Sequence, residues 1–395
     1  LEVTARERNS APHVERFVGD SQVKAGSESA IVPGVNSNQS AECNMSNLNR
    51  RSLMQGAAAL GMASAFSGGA FAQAPKAKIR IGLVPLISSG PIFVAKAMGL
   101  FEKVNLDVEL VYFNDGVLAI PALVAGELDT TVSTLSAGLF NAVSKGAPYK
   151  LILDRGSEKP GSGSMAIAAS NDMVAAGLTG VDKFALMKGK RVSLQAPGGI
   201  DQYLLGRAAQ KAGLDPRTDV TWNTGLSYPD IVKSMGAGQT DIANIPLPLG
   251  FLVEKNNAGK LVCAGYDIEP NTQLGCWAMS TKYIAENKSA AVRFAMVHTY
   301  AGRLYNKAAA AKDPAIMKII SDATKVPVPL IEAAAPRWTW FNEDGMPNVD
   351  SCMAQGKFWT ETMKLVTASV TKEQLFDLSP AIEANAALAK SNPFT

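Results

Sequence analysis

Histidine is almost missing from this chain of 395 residues: only His13 and His298 occur. Two imidazoles, one of them in a polar N-terminal stretch, exclude a histidine-rich metal centre and leave little scope for proton transfer near neutral pH. Cysteine is scarce as well. Cys43, Cys263, Cys276 and Cys352 match no zinc-ligand spacing, and the last three permit at most one internal disulfide. Small buried thiols are the simpler reading, with a Cys263–Cys276 bridge as the alternative. Charge excess is lacking too, because Lys+Arg 38 against Asp+Glu 35 leaves only +3. Residues 1–72 hold six of each sign, so the remainder keeps the same balance and offers no clustered basic surface for nucleic acid. Beyond residue 72 no window of ~18 uninterrupted apolar residues occurs, so no membrane-spanning helix is expected there. No Cys/His pair or paired carboxylates stand in a catalytic arrangement. The residues therefore point to a protein that is not an enzyme and needs no cofactor or metal.

What is present is an ordinary globular composition, 47% hydrophobic and 18% charged, enough for one large or two medium cores. Residues 1–44 are polar, with no periodic apolar pattern, and are expected to be disordered or an upstream non-native extension. From Met45 the text changes. Asn49-Arg50-Arg51-Ser52-Leu53-Met54 precedes an Ala/Gly-rich apolar run to Phe71, with small residues at Ala70 and Ala72. This resembles a bacterial twin-arginine export signal over 45–72, with Asn before the pair and Leu where Phe is usual. Cleavage after Ala72 is expected, and a periplasmic product follows from that resemblance.

The rest is organised by a repeat. Asp107-Val108, Ala125-Gly126 and Asp129 are answered 112 residues later by Asp219-Val220, Ala237-Gly238 and Asp241. Each copy reads as a strand, a loop, a short apolar helix closed by Gly, and another strand; Gly suits the left-handed residue that ends a helix. Between and around them, strands are expected at 78–84, 108–113, 130–133, 151–153, 165–169 and 188–194. Short helices are expected at 92–98, 118–124, 138–144 and 201–213. Strands alternating with helices predict parallel sheets in an α/β fold, whose ligands sit where strand ends and helix starts meet. The polar, Gly/Pro-rich stretch 154–164 reads as a lobe boundary, 165–169 as a connecting strand, and 274–280 as the return strand across the hinge. Longer helices are expected at 290–311, 314–324 and 350–366. Trp338, Trp340, Phe341 and Trp359 near the end read as packed core rather than as a ligand cage.

The run Gly90-Pro91-Ile92-Phe93-Val94-Ala95-Lys96-Ala97-Met98-Gly99-Leu100-Phe101, followed by Ala122-Leu123-Val124-Ala125-Gly126-Glu127-Leu128-Asp129, is similar to the nitrate/sulfonate/taurine group of ABC-transporter solute-binding proteins. Leu186-Met187-Lys188-Gly189-Lys190-Arg191-Val192 followed by Ala212-Gly213-Leu214 resembles that group's entry into its second lobe. Its relatives include binders of thiamine-precursor pyrimidines and pyrimidine synthases. The resemblance implies a type II periplasmic binding protein: two α/β lobes joined by a two-strand hinge with a ligand cleft between them. Lobe 1 is expected over 73–168 and 274–395, with the C-terminal helices, and lobe 2 over 169–273. It implies the substrate-binding component of an ABC importer for a small anionic organic solute such as a sulfonate, taurine or nitrate, with a pyrimidine, an aromatic carboxylate or a synthase as alternatives. The implied partners are an inner-membrane permease and its ATPase, with the protein itself a monomer.

Anions in such clefts are held by N–H groups at helix starts, where about half a positive charge is concentrated. The candidates are therefore Ser88, Ser89 and Gly90 before the first helix, Asn114 and Asp115 in the following turn, and Ser133, Thr134 and Ser136. Across the cleft stand Gly198 and Gly199, Tyr228, and Asn244 with Pro246. Ser, Thr and Asn are also preferred helix caps, and Asp115 could pair with an amine.

Overall fold

Short strands, most of them followed by a turn and a helix, build two separate five-stranded sheets. The computed structural model describes residues 74–113, 116 and 119–395, all within one compact unit. The expected N-terminal extension, the export signal at 45–72, and the candidates Asn114 and Asp115 lie outside those residues.

The first sheet begins with β1 (Ala77–Leu83), α1 (Gly90–Ala97), β2 (Leu106–Tyr112), α2 (Ala119–Val124), β3 (Thr130–Thr134), α3 (Ala137–Ser144) and β4 (Tyr149–Asp154). The chain then passes through β5 (Ser157–Glu158) into the second sheet. There it forms β6 (Met165–Ser170), α4 (Asn171–Ala175), β7 (Arg191–Ser193), α5 (Ile200–Lys211), β8 (Thr221–Asn223), α6 (Tyr228–Gly236), β9 (Ile242–Pro246), α7 (Phe251–Lys255), β10 (Gly259–Ala264) and α8 (Gly265–Ile268). It returns through β11 (Thr272–Gln273) to β12 (Gly275–Ser280). Helices α9 (Thr281–Glu286), α10 (Lys288–Ala311), α11 (Pro314–Thr324), α12 (Val328–Ala334), α13 (Val349–Lys357), α14 (Lys372–Leu375) and α15 (Ser379–Lys390) complete it.

The strand orders are β2-β1-β3-β12-β4 and β10-β6-β9-β7-β8. Neither sheet is wholly parallel, as the strand–helix alternation alone suggests. β12 runs antiparallel between β3 and β4, and β6 runs antiparallel to β9 and β10. The reason lies in the crossovers: a strand arriving from the other sheet enters without a helix to reverse it, so it lies against its neighbours head to tail. The stretch 165–169 is accordingly an interior strand of the second sheet rather than a connector. The two crossing segments are β5 and β11, paired antiparallel through Thr272–Glu158 and Gln273–Ser157.

The glycine expectation holds in both repeat copies. Gly126 (φ 77°) and Gly238 (φ 69°) take the left-handed conformation after α2 and α6. One face of the first sheet packs on α10, where Ile79, Ile81, Trp277, Phe294 and Met296 share a core. Full burial of each such side chain stabilises the fold by about 1.5–3 kcal/mol. Trp338 and Trp359 are buried, their indole N–H groups donating to the Ile331 and Leu135 carbonyls at 3.2 and 2.9 Å. The helix expected over 350–366 stops at Lys357 and continues as a π-helical turn, Phe358–Thr362. That turn packs against α5 of the second sheet: Tyr203 meets Phe358 and Trp359 with ring centroids 5.1 and 6.2 Å apart. The C-terminal helices therefore brace both sheets. Among the described residues no helix is long and apolar enough to cross a membrane. Cys263, Cys276 and Cys352 are free thiols, with Cys263 on the second sheet and Cys276 on the first.

Candidate functional site

Thr134, Gly275 and Asp154 stand side by side where β3, β12 and β4 meet at the C-terminal edge of the first sheet, through the pairs Gly275–Thr134 and Cys276–Asp154. The next residue, Arg155, leaves this edge. Its backbone N–H donates to the Gly275 carbonyl at 3.1 Å, and a Cβ at position 275 would stand 3.5 Å from Arg155 Cδ, so the side chain lies along the glycine. Arg155 Nε is buried without a hydrogen-bond partner, and among the described residues no carboxylate forms an ion pair with the guanidinium. Burial lowers its pKa to about 10, opposed by Tyr305, Asp154 and Tyr228. It remains a cation at neutral pH.

Tyr305 reaches the same place from α10. Its ring fits only because residue 90 is glycine: a Cβ there would come within 2.4 Å of the ring. The hydroxyl is buried and unpartnered, and its pKa is driven far up by burial, with Arg155 acting in the opposite direction. Gly90 opens α1, whose N-cap Ser89 makes no side-chain cap; the Ser89 hydroxyl donates instead to the Val84 carbonyl at 2.7 Å. The first turn of α1 carries no acidic side chain, but the Gly90 N–H is spent on the Ile87 carbonyl and Pro91 has no N–H, so this turn offers few free backbone donors. Ser88 is partly exposed in the preceding turn, while Ser133 is buried within β3.

α3 is arranged differently. The Ser136 side chain accepts from Leu139 N–H at 3.2 Å as a helix cap, and Ala137 N–H donates to the Gly198 carbonyl at 2.9 Å. The second bond joins the two sheets' loops directly. Gly198 has φ 68°, and a Cβ on it would lie 2.8 Å from the Ala137 Cβ, so this approach requires glycine. Gly198 N–H is taken by Gln202 Oε1 at 2.7 Å, and Gly199 is the extended N-cap of α5 without a side-chain cap.

On the second sheet's side, Asp201 in the first turn of α5 gathers two expected residues. Asn244 Nδ2 donates to Asp201 Oδ1 at 3.0 Å, and the Tyr228 hydroxyl to Oδ2 at 3.3 Å. Asn244 is fully buried on β9, and its Oδ1 has no partner. Pro246, which ends β9, pairs with Met165. The fold therefore brings Gly90, Thr134, Gly198, Tyr228 and Asn244 to facing edges, while Ser89 and Ser136 spend their hydroxyls on backbone groups.

Sequence reasoning missed Arg155 and Tyr305. Arg155 lies in a polar Gly/Pro-rich stretch that reads as a linker; the signal available was a lone cation directly after a buried strand. His298, remote in sequence, is close in space. Its Nε2 lies 2.8 Å from the Asp154 carbonyl oxygen, and burial pushes its pKa down to about 4, so it is a neutral packing residue under the site. Among the described residues no three His, Cys, Asp or Glu side chains converge to hold a metal ion. A surface cavity of about 700 Å³ lies elsewhere, at the opposite strand ends of the first sheet. Its Lys76, Lys78, Arg80 and Lys288 are paired with carboxylates, so it is a solvated charged surface rather than a prepared ligand site.

A model of the NMT1-like family matches residues 72–321. Among curated proteins, the chain is 24% identical over 216 residues to the nitrate import ATP-binding protein NrtC of Synechococcus elongatus; the match takes in 53% of this chain but only 31% of that protein's length. Solved structures extend the likeness to the fold. The ligand-binding component of an ABC-type import system from Staphylococcus aureus superposes with a TM-score of 0.65 at 17% identity, over 78% of this chain and 99% of that one. The nitrate-binding protein NrtA of Synechocystis PCC 6803 gives 0.64 at 15%, over 80% and 92%. The alkanesulfonate-binding protein SsuA of Xanthomonas axonopodis pv. citri gives 0.60 at 20%, over 77% and 99%. The two sheets and the paired crossing strands are thus the periplasmic binding protein fold. Because the family match runs from before β1 into α11, taking in both sheets and both facing edges, the chain belongs to the NMT1-like family.

Proposed function

We propose that this protein is the periplasmic solute-binding component of an ABC importer, closing its two sheets over a small anionic organic solute. Sulfonates and taurine are the first candidates. One observation carries the reading: Arg155, a partly buried cation with an unpartnered Nε, stands where β4 leaves the edge of the first sheet, its backbone bonded to Gly275. A partly buried cation with no counter-ion among the described residues is costly to the protein alone. An anion accepting from the guanidinium would neutralise it. The permease and ATPase partners, and export by the twin-arginine route, belong to the same reading.

The test is isothermal calorimetry on the protein against taurine, alkanesulfonates, nitrate, aromatic carboxylates and pyrimidines, repeated on Arg155→Gln. An anion should bind the wild type and lose about 100-fold or more in the variant, the loss typical of a desolvated charge pair. A hit confined to neutral pyrimidines, or an anion whose affinity Arg155→Gln leaves unchanged, overturns the reading.

A further inference from the structure

Asn244 is fully buried on an interior strand, yet its Oδ1 has no hydrogen-bond partner. The side-chain orientation is fixed chemically. Nδ2 donates to Asp201 Oδ1 at 3.0 Å, and the flipped amide would set a carbonyl oxygen against a carboxylate. Folding does not explain the residue: the equivalent position in the first repeat copy is Val132, a core residue of β3. A buried carbonyl left without a donor is retained at a cost. It points to a donor that the fold itself does not supply.

We propose that the ligand carries a hydrogen-bond donor, an ammonium or a hydroxyl group, on the side away from its anionic group, and that Asn244 Oδ1 with Asp201 reads it. The inference rests on the anion reading of Arg155 above and deepens it. The two facing edges are complementary in kind. The first sheet presents a donor, the Arg155 guanidinium, and the second presents an acceptor, Asn244 Oδ1, beside Asp201. Tyr228, on the second sheet's side, donates to Asp201 and is near enough to Arg155 to favour its charged form. A cation at one edge and an unpartnered carbonyl oxygen at the other suit a ligand with an anionic group at one end and a hydrogen-bond donor at the other. A short amino or hydroxy acid meets both edges. An oxyanion made only of acceptors, such as nitrate or an unsubstituted alkanesulfonate, would satisfy Arg155 and leave Asn244 Oδ1 without its hydrogen bond.

The probes are ethanesulfonate, 2-aminoethanesulfonate and 2-hydroxyethanesulfonate, with propanoate and 3-aminopropanoate as a carboxylate pair. Each is titrated calorimetrically into the wild type, Asn244→Leu and Arg155→Gln, with thermal melts to verify folding. In the wild type a donor-bearing member should bind ~10-fold or more tightly than its unsubstituted partner. Asn244→Leu should abolish that preference, and Arg155→Gln should weaken every member alike. Equal wild-type affinities within each set, with Arg155→Gln still weakening them, overturn the donor inference and leave the anion reading standing. Binding that ignores Arg155→Gln overturns both, and no binding by any of the five overturns the donor inference. The wild-type comparison decides even if Asn244→Leu does not fold.

Discussion

Asp129 receives three hydrogen bonds from Arg80: the backbone N–H at 2.7 Å and Nε at 3.1 Å to Oδ2, and a terminal N–H at 2.7 Å to Oδ1. The second repeat copy rebuilds the arrangement, with Arg191 donating to Asp241 at 2.8, 3.0 and 2.7 Å. Each Asp therefore ties the start of one strand to its parallel neighbour through a bidentate, charge-assisted contact. Asp129→Ala should cost about 2 kcal/mol of unfolding free energy in urea titrations. Asp241→Ala should cost less, because the Arg191 side chain is 44% exposed against 33% for Arg80 and solvent screens the pair. A larger loss at Asp241 would contradict this ordering.

Gly198 is where the two sheets' loops meet. Substitution by alanine meets two obstacles, the left-handed φ of 68° and the 2.8 Å approach to the Ala137 Cβ. Both act on closure and leave each sheet's core untouched. Gly198→Ala should weaken the tightest anion found by calorimetry about tenfold, corresponding to about 1.4 kcal/mol. Small-angle scattering of the liganded variant should show a more open particle than the liganded wild type. Unaltered affinity and radius would mean that the loop contact plays no part in closure.

What the sequence made legible is what local chemistry dictates. Gly126 and Gly238 end helices because only a residue without Cβ takes φ near 70° readily, and the repeat located them and their Asp landmarks. The partners of those landmarks were hidden: Arg80 and Arg191 lie 49 and 50 residues upstream, in strands outside the repeated stretch. Arg155 was hidden for a related reason. Its importance depends on β12 returning antiparallel beside β4, a pairing across more than 120 residues of chain. The Ser-rich loops misdirected attention in the opposite sense. Ser89 and Ser136 stand at helix starts, but their hydroxyls are consumed by Val84 and Leu139 backbone groups, which is the ordinary use of such residues.

The three thiols test the packing independently of any ligand. Cys276 and Cys352 are buried with their sulfurs 4.0 Å apart, and burial raises the Cys263 pKa to about 12 and that of Cys276 well above its usual range. Thiolate is the reacting species and Cys352 is fully buried, so in a chain starting at residue 73, which lacks Cys43, all three should be inert to an aromatic disulfide reagent at pH 8 and titrate together once the chain is unfolded. Rapid reaction of one equivalent in the native protein would show that a described core segment opens.

Glu158 sits at the crossing between the sheets, fully buried, with Oε1 accepting from Met165 N–H at 3.1 Å and Oε2 unpartnered. Burial raises its pKa from 4.5 to about 7, against the opposing hydrogen bond from Met165 and the charge of Arg337. Between those values the folded state holds a proton that the unfolded chain has released, so this group's contribution to stability falls as pH rises through the window and is constant above it. His298 acts oppositely. Its folded pKa of about 4, below the usual 6.5, makes stability rise with pH over its own range. Comparing Glu158→Gln with wild type at each pH cancels the histidine and isolates the carboxyl group. Between pH 4.5 and 8 the difference should move in the variant's favour by roughly 3 kcal/mol, since the neutral amide cannot ionise. A difference that stays constant from pH 4.5 to 8 would show that Glu158 ionises normally in the folded protein, through water reaching the crossing strands.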